Sequence, residues 1–149
     1  MTEILHPLAY RTARLLPGLF KKRFEINRRF MLSLTTPNLL QNYYLEAGLW
    51  APMGKPDDAH WGWESPTCQI RGEFLGHWLS AAAHIYAGTG DQEIKGKADL
   101  IVSEVRCCQE ENGGEWAGPI PEKYMDWLGR ERHSELFGRK GSDKHLTKR

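Results

Sequence analysis

The hydrophobic positions along the chain recur at helical spacing, and no stretch shows the strict apolar/polar alternation of a strand. The densest pattern lies between Gly62 and Asp91. Advancing about 100° per residue collects Glu73, His77, Ser80 and His84 into one narrow polar stripe. Phe74, Trp78, Ala81 and Ile85 fill one flank of that helix, and Leu75, Leu79, Ala82 and Tyr86 fill its back. Between Arg71 and Asp91 there is no Lys or Arg, whereas a surface helix normally carries a broad charged face. The pattern predicts a helix buried on most sides, its stripe turned towards a cavity or a thin strip of solvent.

The same reasoning places the other elements. After the Pro17-Gly18 turn, Phe20, Phe24, Phe30, Met31 and Leu34 predict a helix from Leu19 to Leu34, with Lys21, Lys22, Arg28 and Arg29 off its apolar face. Asn27 falls on that face and is expected to bond to neighbouring backbone, since buried amides need partners. Thr36 as N-cap and Pro37 at the first helical position restart a helix that runs to Ala47 and buries Leu39, Leu40, Tyr43, Tyr44 and Ala47, with Gly48 as terminator. Residues 49–65 form a Pro/Gly/Asp-rich loop containing several Trp. Asp91 caps a final helix whose face is Ile94, Ala98, Ile101, Val105 and Cys108, ending at Asn112-Gly113-Gly114 before a Pro-rich loop and a short helical turn. The prediction is all-α, about four helices joined as antiparallel hairpins.

Length and charge narrow the class. A chain of 149 residues with 40% hydrophobic content is sized for one domain. Its 20 Lys+Arg against 19 Asp+Glu give no global argument for nucleic acid or a membrane surface as partner. The N-terminus shows neither a secretory signal nor a span, so a cytoplasmic location is expected. Residues 130–149 are basic and aperiodic and are expected to be disordered. Cys68, Cys107 and Cys108 fit neither a disulfide framework nor a spaced metal pair, and Cys107-Cys108 are expected to be small buried apolar residues.

Two groupings carry candidate chemistry. Glu73 and His77, one turn apart with Ser80 and His84 beyond them, could share a proton or a metal, wall a polar cavity, or border solvent. Trp50, Trp61 and Trp63 beside Glu64 and Arg71 suit a sugar, which needs flat apolar faces for ring C–H groups and forked polar groups for hydroxyls. On the residues alone, Trp in such a Pro/Gly loop is more readily read as a plug at the end of a helical bundle.

GWE followed by QIRGEFLGHWLSAAAHIYAGTGD resembles the signature of the β-L-arabinofuranosidase-type glycoside hydrolases, family 127 and its relatives. The resemblance extends from about Pro17 through LFKKRFEINRRFMLSL, LLQNYYLEAGL and GDQEIKGKADLIVSEV to EWAGPIPEKYMDWLGR. It implies an (α/α)6 barrel whose inner helices line a sugar pocket. It also implies retaining hydrolysis, in which a zinc-bound cysteine thiolate attacks the anomeric carbon and a glutamate serves as acid/base. Members resemble RGHFLGHYLSA at the central helix, whereas here Glu73 stands for the expected His and Trp78 for the usual Tyr.

The family's reactive residues lie later in its chain, so no catalytic residue and no metal ligand is assigned, and zinc is expected only in the complete enzyme. Residues 1–129 are expected to be the N-terminal portion of the catalytic barrel, with 130–149 a departure from it that suggests a frameshift or early stop near Arg130. Trp63, Glu64, Arg71 and His77 are the expected substrate-binding wall, with Arg71 donating to hydroxyls or orienting Glu64. The expected function is that of an inactive fragment of a hydrolase for terminal arabinofuranosyl or related plant-polysaccharide sugars, with a carbohydrate as ligand and a second chain as the partner that would complete the barrel. The alternative is a small helical carbohydrate-binding or assembly module without catalysis.

Overall fold

The computed structural model describes residues 9–49 and 60–127, and these are helical with no strand among them. Helix α1 spans Leu19–Ser33, α2 Thr36–Leu39, α3 Gln41–Glu46, α4 Glu73–Thr89 and α5 Gln92–Glu111; a 3-10 turn covers Gly62–Glu64. Residues 122–127 are also helical. Trp50 and the 130–149 tail lie outside the described residues.

Helices α4 and α5 form a tight hairpin. Gly90, at φ 76, ends α4 in the left-handed region that a β-carbon disfavours, and its amide donates to Tyr86 O at 2.7 Å. Asp91 then caps α5 as expected, its side chain accepting from the amides of Glu93 and Ile94. The hairpin buries Leu75, Trp78, Ala82 and Ile85 of α4 against Ile94, Ile101 and Cys108 of α5. Ala98 and Val105 pack against this cluster, so the predicted face of α5 is the one used. Each large side chain sealed from water here contributes about 1.5–3 kcal/mol.

The predicted helix from Thr36 to Ala47 breaks at Leu40, whose φ −101 and ψ 1 leave the helical region. The break seats Leu39, Leu40 and Tyr44 in the core. The cap shifts back by one residue: Thr35 is extended at ψ 142 and Pro37 occupies the second position, where its missing N–H costs nothing. Tyr44 Oη donates to Glu104 Oε2 at 2.8 Å, tying α3 to α5. Gly48 ends α3 with φ +67.

Helix α1 is turned differently from its predicted register. Phe24 and Met31 face the core, but Phe20 is 78% exposed and Asn27 is exposed rather than bonded inside. The polar residue turned towards α5 is Arg28, which pairs with Asp91 and, at 2.7 Å, with Glu93. The C-terminal end of α1 is held by one lysine. Lys97 of α5 donates to Met31 O at 3.1 Å, Leu32 O at 3.0 Å and Leu34 O, three carbonyls that the end of a helix leaves without partners. Its ammonium lies 5.3 Å from the Trp78 ring centre, and Trp78 Nε1 itself donates to Met31 O at 3.2 Å. Burial pushes the Lys97 pKa below the ordinary lysine value.

Candidate functional site

The site is built at the start of α4. Gly72 precedes that helix in the left-handed region (φ 87) and has no side chain with which to cap it. Glu64 takes over that role from the 3-10 turn. Its Oε2 accepts from the Gly72 amide at 2.7 Å and its Oε1 from the Phe74 amide at 2.9 Å. A carboxylate there satisfies two orphan donors and meets the positive end of the helix dipole.

Two side chains of α3 hold the segment that carries Glu64. Gln41 Nε2 donates to His60 O and to Glu64 O, both at 2.8 Å, and its Oε1 accepts from the His60 amide at 3.3 Å. Asn42 Nδ2 donates to Glu64 O at 2.9 Å and to Glu64 Oε2 at 3.3 Å. Asn42 is 2% exposed, so this amide is built into the core beneath the turn. Its burial was the missed signal: a polar residue on a short helix that otherwise buries Leu and Tyr.

Beside this framework lies a groove of about 460 Å³, lined by Phe30, Leu34, His60, Trp61, Trp63, Glu64, Glu73, Phe74 and His77. Trp61 and Trp63 are 72% and 73% exposed, so neither plugs the bundle; both line the groove. His60 meets Phe74 edge-on, with ring centres 5.5 Å apart. Burial pulls the His60 pKa down, against an upward pull from Glu64, which favours a neutral imidazole. His77 Nε2 lies 3.4 Å from Glu73 Oε1, and both side chains are largely in solvent. The stripe of Glu73, His77, Ser80 and His84 is therefore exposed along its length, bordering this groove at one end, and is not sealed inside the fold.

The four residues singled out from the sequence separate into pairs. Trp63 and His77 both line the groove. Glu64 borders it too, but its carboxylate is held by the α4 amides. Arg71 points elsewhere: Nε donates to Pro119 O at 2.9 Å, a terminal nitrogen donates to Cys68 O at 3.3 Å, and the other approaches Glu46 at 3.7 Å. It clamps the Pro-rich loop onto the start of α4, where Pro119 also covers Gly72. Phe30, His60 and Phe74 complete the groove without having been singled out.

The described residues do not fit a zinc site. No three His, Cys, Asp or Glu side chains among them converge on a point. Cys108 is in the core, where burial pushes its thiol up to about 11, while its neighbour Cys107 is exposed rather than buried. Among the described residues no helix is long and apolar enough to cross a membrane.

In a comparison with protein families, the model of the β-L-arabinofuranosidase, GH127 catalytic domain, matches residues 12–126. Comparison with curated proteins and with solved structures gives no match. The all-α architecture accords with that family, whose catalytic domain is an (α/α)6 barrel.

Proposed function

The chain belongs to the glycoside hydrolase family 127 catalytic-domain family, and from that premise we propose that it forms the first part of an arabinofuranosidase-like barrel and binds a terminal arabinofuranosyl or related plant-polysaccharide sugar. The observation that carries this reading is the groove at the start of α4, whose lining combines exposed Trp61 and Trp63 with the polar pair Glu73 and His77. Flat rings beside hydrogen-bonding edges are what a furanose presents itself to. Trp63 stacks on the sugar ring and His77 bonds a hydroxyl. Glu64 and Arg71 act from behind, one fixing the first turn of α4 and the other the loop packed on it.

On this reading the reactive groups, including any zinc, belong to other parts of the barrel than this chain, which by itself binds without hydrolysing. The exposed apolar residues Leu16, Leu19 and Phe20 support this reading, because further helical hairpins or a second chain would cover them.

Two measurements on the purified chain test the proposal. Arabinofuranosides are expected to quench tryptophan fluorescence, with Trp63→Ala weakening binding about tenfold, equivalent to ~1.4 kcal/mol. Hydrolysis of p-nitrophenyl arabinofuranoside is expected to be absent. Turnover overturns the incompetence, and unchanged binding in Trp63→Ala overturns the site.

A further inference from the structure

The opposite end of α4 carries a second hollow that the sugar groove does not explain. It occupies about 630 Å³, within the range of ligand pockets, between the 11–15 segment, α1 and the last turn of α4. Arg11, Arg14, Lys21 and His84 stand in its wall, and among the described residues no Asp or Glu lines it. In a chain of net charge +1 this is a local concentration of one sign. Leu15 and Phe24 give it an apolar floor.

We propose that this hollow is an anion site, taking the carboxylate or phosphate of a sugar-sized ligand whose C–H face rests on Leu15 and Phe24. The cations are prepared for it to different degrees. Arg14 makes no hydrogen bond or ion pair among the described residues. Lys21 pairs with Glu25 at 2.6 Å, both side chains being more than 40% exposed, a pairing that water already weakens, and its ammonium lies 5.0 Å from the Phe24 ring centre, at the edge of the apolar surface. Arg11 adopts φ 69, unusual for a residue with a β-carbon, and is fixed there by its Nε bond to Ala87 O at 3.2 Å. His84 Nδ1 contacts Tyr10 Oη at 3.4 Å, leaving Nε2 as its second hydrogen-bonding atom.

One opposing term is reduced. The C-terminal carbonyls of a helix repel anions, but here Tyr86 O accepts from the Gly90 amide and Ala87 O from Arg11. His84 lies seven residues beyond His77 on α4, about 10 Å of helix rise. The hollow is thus separate from the groove, and the inference stands independently of the function proposed above.

The test is a nuclear magnetic resonance titration of the whole chain with galacturonate, galactose 6-phosphate and galactose, at low and at high salt. One or both anionic sugars are expected to bind while neutral galactose does not, with affinity falling as salt rises. Arg14→Ala is expected to weaken that binding at least fivefold and Trp63→Ala to leave it unchanged. Preference for galacturonate identifies a uronate, and preference for the phosphate identifies a sugar phosphate. Lys21→Ala supplies the same reading should Arg14→Ala fail to fold. Anionic sugars that bind no better than galactose overturn the proposal, as does binding that the charge-removing variant leaves intact.

Discussion

Removing the Glu64 carboxylate is the sharpest test of how α4 is held. In Glu64→Ala the Gly72 and Phe74 amides lose acceptors at 2.7 Å and 2.9 Å, and Asn42 Nδ2 loses one of its two partners. Gly72 is buried, so water cannot readily take over at its amide. An N-cap is worth ~1 kcal/mol and a hydrogen bond to a charged group ~1.5–3 kcal/mol, and the two bonds here are not additive, so the loss is roughly 2–4 kcal/mol. In Glu64→Gln one oxygen still accepts while the new NH2 faces a donor, so the loss is roughly 1–2 kcal/mol, part of it the missing charge at the helix dipole. Urea unfolding reads this as a lower midpoint with an unchanged slope, and melting as a fall of roughly 5–15 °C for Glu64→Ala. Hydrogen exchange locates the effect: the Gly72 and Phe74 amides speed up, while the Ile94 amide, capped by Asp91, does not. A Glu64→Ala variant within ~0.5 kcal/mol of the parent, as for an ordinary surface substitution, refutes the capping argument.

Other outcomes follow from the same geometry. Gly72→Ala places a β-carbon 2.1 Å from Pro119 Cγ at φ +87, and is expected to cost roughly 2–5 kcal/mol from backbone strain and displacement of the loop, measured by denaturant unfolding. Arg28 and the α5 amides hold the Asp91 carboxyl below its ordinary 3.8. A depressed carboxyl contributes stability that is full above the unfolded value and lost as pH falls through the folded one, so Asp91→Asn is expected to flatten the acid side of a stability-versus-pH curve below about pH 4. Iodoacetamide is expected to alkylate Cys107 in the native protein well before Cys108, whose thiol is buried and protonated; mass spectrometry of digests counts the adducts, and equal rates contradict the packing of α5.

What the residues disclosed in advance divides along physical lines. The hairpin of α4 and α5 was readable because local rules agree there: an Asp cap, a glycine at φ 76, and apolar positions that share one partner. Helix α1 was misread at Phe20 and Asn27 because it carries apolar residues round much of its circumference, and periodicity does not say which arc meets a neighbour. Within the site, Trp63 and His77 line one groove, although a Trp in a Pro/Gly loop reads more readily as a plug. The duties of Glu64 and Arg71 were not legible, since they depend on Gly72 lacking a cap and on Pro119 arriving 48 residues later in the chain. Those are tertiary coincidences that no spacing encodes.

The lysine beneath α1 has a consequence of another kind. Lys97 grips Met31, Leu32 and Leu34 only through their carbonyl oxygens, which every amino acid possesses. The side chains at those three positions are free to change as fast as packing tolerates, and no compensating substitution at Lys97 is ever called for. Among relatives, this joint between α1 and α5 would leave no trace of paired variation: a constant lysine facing positions that drift, and a contact that covariation alone would never locate.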